Sequence, residues 1–253
     1  MMMRLAVLSD IHGNLVALEA VLADVETRGA PDVTWVLGDL AAFCPWPVET
    51  LDRLRMIPDV AFLQGNTDRY LVTGRRPAMP PVESPEAWRE VPDRLAERDA
   101  NFRWTVERLS YADYVFLRDL PTELAIDVPG YGRVVAFHAN ARDDETFLPP
   151  DAEGEQVADY FSGAEARLML YGHTHRPVDR TVAGVRIVND GSVGLPLDGD
   201  PRPAYALLDF EGDTCQVSIR RVDYDRQVLV DELARVSHPA QAWVSGILRN
   251  AST

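Results

Sequence analysis

Five short polar blocks hold most of the histidine in this chain, and each closes an apolar stretch. They are Ser9-Asp10-Ile11-His12-Gly13-Asn14, Gly38-Asp39-Leu40, Gly65-Asn66-Thr67-Asp68, Phe137-His138-Ala139-Asn140 and Tyr171-Gly172-His173-Thr174-His175. Of the 5 histidines, His12, His138, His173 and His175 fall inside these blocks and only His238 stands apart. Asp10, His12, Asp39, Asn66, His138, His173 and His175 together offer oxygen and nitrogen ligands with no thiolate. Imidazole combined with carboxylate suits ions such as Mn, Fe and Zn. Seven ligands exceed one tetrahedral site and fit a pair of ions with a shared ligand. Two ions about 3.5–4 Å apart clamp the attacking and leaving oxygens of an in-line phosphoryl displacement.

Taken singly these signals are weak. Asp-x-His is common by chance, and Gly-Asp after a strand is most often a turn. Their weight comes from recurrence in one order, each behind an apolar run. Gly172-His173-Thr174-His175 is the most specific of them.

The elements that must position these blocks can be read from periodicity. Residues 4–9 form a short apolar run that predicts a buried strand. Leu15, Leu18, Val21, Leu22 and Val25 recur at helical spacing over 14–28, and Gly29 and Pro31 stop the helix. Strands are expected at 33–37 and 60–63, with a short helix over 48–56 between them. This alternation predicts βαβ units and a largely parallel sheet. In such sheets ligands bind outside the carboxyl ends of the strands, which is where the blocks lie.

Residues 74–92 are rich in proline and charge and read as an excursion with little core of their own. A mostly helical stretch follows over 94–117, then strands at 124–128 and 133–137, a helix over 152–162 and a strand at 168–171. Shorter strands at 178–183, 185–188, 204–210 and 214–222, joined by tight turns, fit a second and more antiparallel sheet. The tail from 226 is helical in pattern and broken at Pro239. The fold class expected is α/β: a two-sheet β-sandwich flanked by helices in four layers. It would form a single domain with its core at about 4–224 and a helical C-terminal tail at 226–253.

Composition narrows the function. The formal net charge is −15, and no basic stripe of the kind that grips a nucleic-acid backbone is visible. Long nucleic acid is therefore an unfavoured partner, and a nuclease an unfavoured reading. An acidic protein with an anionic substrate needs a local source of positive charge, which bound ions supply. All 25 basic side chains are arginine, so no lysine takes part in any mechanism. Cys44 and Cys215 are far apart in sequence and form no CxxC, so neither a disulfide framework nor a zinc-thiolate site is expected. No apolar run is long enough to span a membrane. These features read as a cytoplasmic protein with no membrane partner.

With its blocks set in order, the sequence resembles the calcineurin-like metallophosphoesterases, and is most similar to their small bacterial and archaeal phosphodiesterase-like branch. The resemblance covers about 4–224 and includes Asn189-Asp190-Gly191-Ser192-Val193-Gly194, which matches a segment of that branch with Asp190 in place of the usual proline. It implies two divalent ions (Mn, Fe or Zn), with Mn²⁺ expected to support activity in vitro. One ion would be held by Asp10, His12, Asp39 and His175, and the other by Asp39, Asn66, His138 and His173. Asp39 would bridge, and a hydroxide between the ions would attack phosphorus. Asp39, Asn66 and His138 would be the catalytic residues, and Asn14 and Thr67 would meet the substrate. Asn14 also suits a helix N-cap.

The activity implied is hydrolysis of phosphodiester or nucleotide polyphosphate bonds in a phosphorylated small molecule or nucleotide. A phosphomonoester phosphatase and a non-catalytic metal-binding scaffold are the alternatives, the family including a retromer scaffold subunit. Many relatives carry histidine where Thr67 stands, and threonine is a poor general acid. Substrates with good leaving groups are therefore expected. Ala41-Ala42-Phe43-Cys44 replaces a more glycine-rich loop, so Phe43 or Trp46 would be placed to stack on a base. Arg69, Arg75, Arg76, Arg142 and Arg176 lie near the motifs in sequence and are further candidates for phosphate contact.

Overall fold

The computed structural model describes residues 2–79, 81–149 and 151–252. The chain opens with β1 (Met2–Leu8), α1 (Leu15–Arg28), β2 (Val33–Val36), α2 (Pro47–Arg55) and β3 (Val60–Phe62). Residues β1, β2 and β3 pair in parallel, in the βαβ pattern that periodicity predicts. Three helices follow: α3 (Asn66–Thr73), α4 (Pro85–Val106) and α5 (Tyr111–Arg118). Next come β4 (Glu123–Val128), β5 (Gly132–Phe137), α6 (Gly154–Tyr160), β6 (Leu168–Tyr171), β7 (Val178–Val182) and β8 (Val185–Asn189). The chain then runs through β9 (Ala204–Glu211), β10 (Thr214–Arg221), α7 (Arg226–Arg235) and α8 (Gln241–Asn250).

Two mixed five-stranded sheets result, in the orders β10-β9-β1-β2-β3 and β4-β5-β6-β8-β7. Strand alternation decides what each face packs against. In β1, Leu5 and Val7 point between the sheets, where they meet Val134 and Ala136 of β5 and Leu168 and Leu170 of β6. Ala6 and Leu8 point the other way, into a core shared with Leu18, Val21 and Leu22 of α1 and Leu51 and Leu54 of α2. On the outer face of the second sheet, Met169 and Ile187 pack against Val157 and Tyr160 of α6. The layers are thus helix, sheet, sheet, helix: an α/β sandwich, as the sequence led us to expect. Truncating a residue at the centre of the inter-sheet core, such as Leu170→Ala, removes about 2–5 kcal/mol.

Three sequence readings give way. The stretch 74–92 is not all excursion, because α4 begins at Pro85. Ser84 accepts a hydrogen bond from Ala87 N as its N-cap, and proline is tolerated at the first helical position, where its missing N–H is not needed. The helical stretch expected over 94–117 is two helices, because Ser110 caps a new one through Asp113 N. The strands after 178 do not form a sheet of their own. Strands β7 and β8 finish the sheet begun by β4–β6, whereas β9 and β10 return to lie beside β1. Strand β9 is buried on both faces over most of its length, the pattern of an interior strand. The sheet it joins is set by packing at long range.

Candidate metal centre

Strands β1, β2 and β3 in one sheet and β5, β6 and β8 in the other are parallel, and their carboxyl ends open on the same side of the sandwich. The five polar blocks follow five of those ends. Backbone hydrogen bonds lock them together: Asp10 N donates to Gly38 O at 3.1 Å, His12 N to Asp39 O at 2.8 Å and Gly172 N to His138 O at 2.8 Å.

All seven expected ligands meet there. Asp10 and His175 approach at 3.3 Å, Oδ1 to Nε2, and His12 and His138 place Nε2 at 3.9 and 4.0 Å from the same oxygen. Asp39 lies between two groups, with Oδ2 at 3.6 Å from His12 Nε2 and Oδ1 at 3.5 Å from His138 Nε2. Asn66 Oδ1 is 3.0 Å from His138 Nε2 and 3.1 Å from His173 Nδ1. Asp10, His12 and His175 form one cluster with metal-holding spacing, and Asp10, Asp39 and His138 a second that overlaps it. The overlap falls on Asp10, while Asp39 is the residue whose two oxygens face opposite histidines.

The ring orientations suit metal binding. His138 Nδ1 donates to Leu37 O at 2.7 Å and His175 Nδ1 to Leu195 O at 2.5 Å, which turns Nε2 of each inward. His173 is reversed: Nε2 donates to Glu145 O at 2.9 Å and Nδ1 faces inward. A second ring nitrogen held by a carbonyl is the usual way a ligating histidine is fixed in tautomer and orientation. Asp10 Oδ1, fully buried, has no hydrogen-bond donor among the described residues. A buried carboxylate oxygen without a hydrogen-bond donor, ringed by imidazole nitrogens, is expensive to maintain unless a cation sits among them. The donor set therefore fits divalent ions.

Burial pushes His12 well below the ordinary histidine value, helped by His175, and pushes His173 down to about 4, helped by His138. Both rings are therefore neutral and ligand-ready. For His138 and His175 burial also favours the neutral ring, but the carboxylates outweigh it, Asp39 chiefly at His138 and Asp10 at His175, and raise both. Burial works against the Asp10 carboxylate, yet the histidines, His175 first, hold it below the usual carboxylate range.

The backbone is strained at this place. Asp10, His12, Asp39, His173 and His175 all have positive φ, between 54° and 63°. Non-glycine residues rarely adopt this region, and such strain gathers at functional sites. Close approaches need glycine twice: a Cβ on Gly65 would collide with the Asp39 carboxylate, and one on Gly172 with Ser9 Oγ.

A buried polar frame holds the ligands. Asp68 Oδ2 accepts from Asp39 N at 2.8 Å and Gly65 N at 3.0 Å, and its Oδ1 accepts from Leu40 N at 3.0 Å. Burial, with Asp39 nearby, pushes Asp68 up to about 7. Asp10 Oδ2 accepts from Ser9 Oγ at 2.5 Å and His173 N at 3.0 Å. Within 189–194, Asn189 Nδ2 donates to Gly172 O at 2.6 Å, Ser192 Oγ to Asp10 O at 2.9 Å, and Gly194 N to Asp10 O at 2.9 Å. This segment ties the His173–His175 turn to the Asp10 turn.

The two expected substrate residues part company. Thr67 lines the cleft above the centre, with its N–H on Asp39 Oδ1 at 2.9 Å and its Oγ1 buried without a partner among the described residues. Asn14 does not line it. Its Oδ1 accepts from Ala17 N at 3.2 Å, and its Nδ2 donates to Gly194 O at 2.9 Å and Tyr224 Oη at 3.2 Å. With its amide spent on capping α1 and tying the 194 turn, Asn14 has a structural place in this fold. His238, outside the blocks, stacks edge-on against Trp104 at 4.1 Å, away from the ligands.

The cleft measures about 480 Å³ and is walled by residues that sequence reading did not single out. Helix α4 contributes Arg94, Arg98, Asn101 and Phe102, and the start of α8 contributes Ala242 and Trp243. Phe43 enters it as expected, whereas Trp46 packs with the core beneath α7 and α8. The arginines near the motifs go elsewhere. Arg69, Arg75, Arg76 and Arg142 line a neighbouring hollow that reaches His138. Arg69 is gripped there by Asp144 and Glu145, and Arg142 by Asp159. Arg176 donates to Leu197 O at 3.1 Å. No local motif marks Asn101 or Trp243. A helical stripe of Arg94, Arg98, Asn101 and Phe102 at spacings of four, three and one is the one signal that placed polar residues beside an aromatic on α4.

Residues 3–213 match the calcineurin-like phosphoesterase superfamily domain, and the chain belongs to that family. An uncharacterised protein of Methanocaldococcus jannaschii is 29% identical over 249 residues, spanning 91% of this chain and 92% of its own length. The crystal structure of a metallophosphoesterase from Sphaerobacter thermophilus superposes with a TM-score of 0.72 at 26% identity, covering 98% of this chain and 99% of that one. A hypothetical protein from Pyrococcus horikoshii shares the fold, with a TM-score of 0.81 at 22% identity over 99% of each chain.

Proposed function

We propose that this protein is a phosphoesterase that uses two divalent ions to hydrolyse phosphodiester or phosphoanhydride bonds of small substrates. The observation that carries the reading is the fully buried Asp10 Oδ1, without a donor and within 4.0 Å of the Nε2 atoms of His12, His138 and His175. Asp10, His12, Asp39 and His175 would hold one ion, and Asp39, Asn66, His138 and His173 the other. When bound, such ions lower the pKa of water, neutralise phosphate charge and orient the reacting groups.

The chain's own residues supply the rest. Asp39 faces both halves of the site, and Asp68 fixes the backbone it hangs from. Leu37 O and Leu195 O hold the His138 and His175 rings so that they cannot turn their protonated nitrogens inward. Thr67 stands at the cleft with a hydroxyl that does not ionise near neutral pH, so it cannot serve as an effective acid toward the leaving oxygen. Diesters and anhydrides with good leaving groups suit such a site better than simple alkyl monoesters. The cleft is the size of a small-molecule site, within about 300–1,000 Å³, and the acidic surface disfavours long nucleic acid.

Cys44 and Cys215 are free thiols, which suits the reducing cytoplasm. Among the described residues no helix is long and apolar enough to cross a membrane. The intact ligand set speaks against a scaffold, which has no use for it. Hydrolysis of bis-p-nitrophenyl phosphate beside p-nitrophenyl phosphate, both with Mn²⁺, tests the reading. Faster turnover of the diester supports it, faster turnover of the monoester makes the protein a phosphatase, and no turnover with both metals bound returns it to a scaffold.

A further inference from the structure

Beside the metal centre, the cleft contains a set of groups that phosphate chemistry does not use. Phe43 has φ 92°, an outlier for a bulky side chain. Its ring lies against His12, centroids 5.0 Å apart, and lines the cleft. Trp243 lies edge to face with Phe43 at 5.0 Å and is nonetheless 43% exposed. Helix α4 brings Asn101 to the same cleft, 5% exposed, with an Oδ1 that is buried and has no hydrogen-bond partner among the described residues. A buried amide left unpaired is costly, and natural structures rarely keep one without a reason.

An aromatic wall with one unpaired amide in the same cleft asks for a flat ligand that stacks and also carries donors and acceptors on its edge. A purely apolar group would leave Asn101 unsatisfied, and a bare phosphate would use neither the rings nor the amide. A nucleobase meets both demands: every base has a π face for stacking, and an asparagine amide pairs with base edges in two-point fashion. The volume of about 480 Å³ admits one nucleotide and not a strand.

We propose, resting on the phosphoesterase reading of the same site, that Phe43, Trp243 and Asn101 form a nucleobase subsite, so that the substrate is a nucleoside phosphate ester or anhydride. The base stacks on the Phe43–Trp243 pair, whose rings already touch edge to face, and Asn101 determines which base is preferred. The phosphate then reaches the metal centre at the other end of the cleft.

The test is calorimetric binding of AMP, GMP, ribose 5-phosphate and inorganic phosphate to the Mn²⁺-loaded protein. At least one nucleotide should bind about tenfold or more tightly than ribose 5-phosphate, the scale of one base–aromatic stack. Trp243→Ala should reduce that advantage to about twofold or less. Asn101→Asp exchanges amide donors for acceptor oxygens and should shift the AMP-to-GMP ratio about fivefold or more, on the scale of one base contact. Ribose 5-phosphate binding as tightly as both nucleotides overturns the subsite, as does an advantage that survives Trp243→Ala. An unchanged ratio in a folded Asn101→Asp protein removes Asn101 from it. Trp243 is at the surface, so its variant carries the test even where Asn101→Asp does not fold. Hydrolysis of bis-p-nitrophenyl phosphate by the wild type separates the two readings. Turnover without nucleotide preference defeats the subsite alone, and nucleotide preference without turnover defeats the hydrolase alone.

Discussion

On the floor of the cleft every important side chain sits within a few residues of a strand's carboxyl end, and its neighbours in sequence are the turns that strain it into place. The facing wall is made by α4 and the start of α8, two segments remote in the chain, joined through contacts such as the edge-on pair of Trp104 and His238. The floor belongs to the chemistry that the family shares. On the reading proposed above, the wall carries this chain's own choice of substrate. Changes on the floor should therefore alter rate and metal content, and changes on the wall should alter affinity and selectivity.

The comparison breaks most sharply at Asp39. Asp39→Asn should lower kcat by on the order of 10³ while the far-ultraviolet dichroism stays native, because its oxygens face ligands rather than the core. A loss below tenfold would mean that the floor is not where rate is set. The next effect is a gain: Thr67→His places an acid at the cleft and should raise turnover of alkyl-leaving-group diesters by about 10²-fold, with little change on bis-p-nitrophenyl phosphate. Equal change on both substrates would sever leaving-group preference from this position. Asp68→Ala leaves the N–H groups of Asp39, Leu40 and Gly65 without their acceptor. Manganese affinity should fall about 10- to 100-fold, read by equilibrium dialysis, with a lowered Tm.

The smallest effect concerns the wall. Burial, with Arg108 nearby, pushes His238 down to about 4. The folded protein therefore keeps this ring neutral, whereas the unfolded chain takes up a proton near the ordinary value of about 6.5. Its contribution to stability is full above pH 6.5 and shrinks as pH falls toward 4, since the unfolded state then binds the extra proton. Protection of the α8 amides, taken relative to their intrinsic exchange rate at each pH, should fall over that window ahead of protection in β1. Identical behaviour in His238→Phe would exclude this ring as the cause.

What the sequence reveals divides along the same line. Ligand blocks were legible because each pairs a local signal with a local element: Asp10-Ile11-His12 behind β1, or Gly172-His173-Thr174-His175 behind β6. The capping role of Asn14 was legible too, but only the geometry of Gly194 O and Tyr224 Oη shows that capping consumes the whole amide. The wall was hidden because Pro85 looks like a helix breaker while serving as a helix start, and because nothing local says that a C-terminal tail folds back over a distant site. The return of β9 to β1 was hidden for a similar reason, since a hairpin's sequence does not name the edge it joins.

The left-handed backbone at Asp10, His12, Asp39, His173 and His175 has a consequence for how such a chain can evolve. Each residue held there costs about 1–2 kcal/mol relative to a relaxed conformation, a penalty glycine would not incur. Selection for stability alone would favour glycine at these turns, and on the reading proposed above selection for activity opposes it. A descendant released from catalysis should therefore lose its aspartates and histidines to glycine sooner than chance predicts, while keeping the sandwich intact. The same turns offer an experimental counterpart: a glycine variant that melts higher than its parent and no longer binds metal would expose how much stability the lineage has forgone for function.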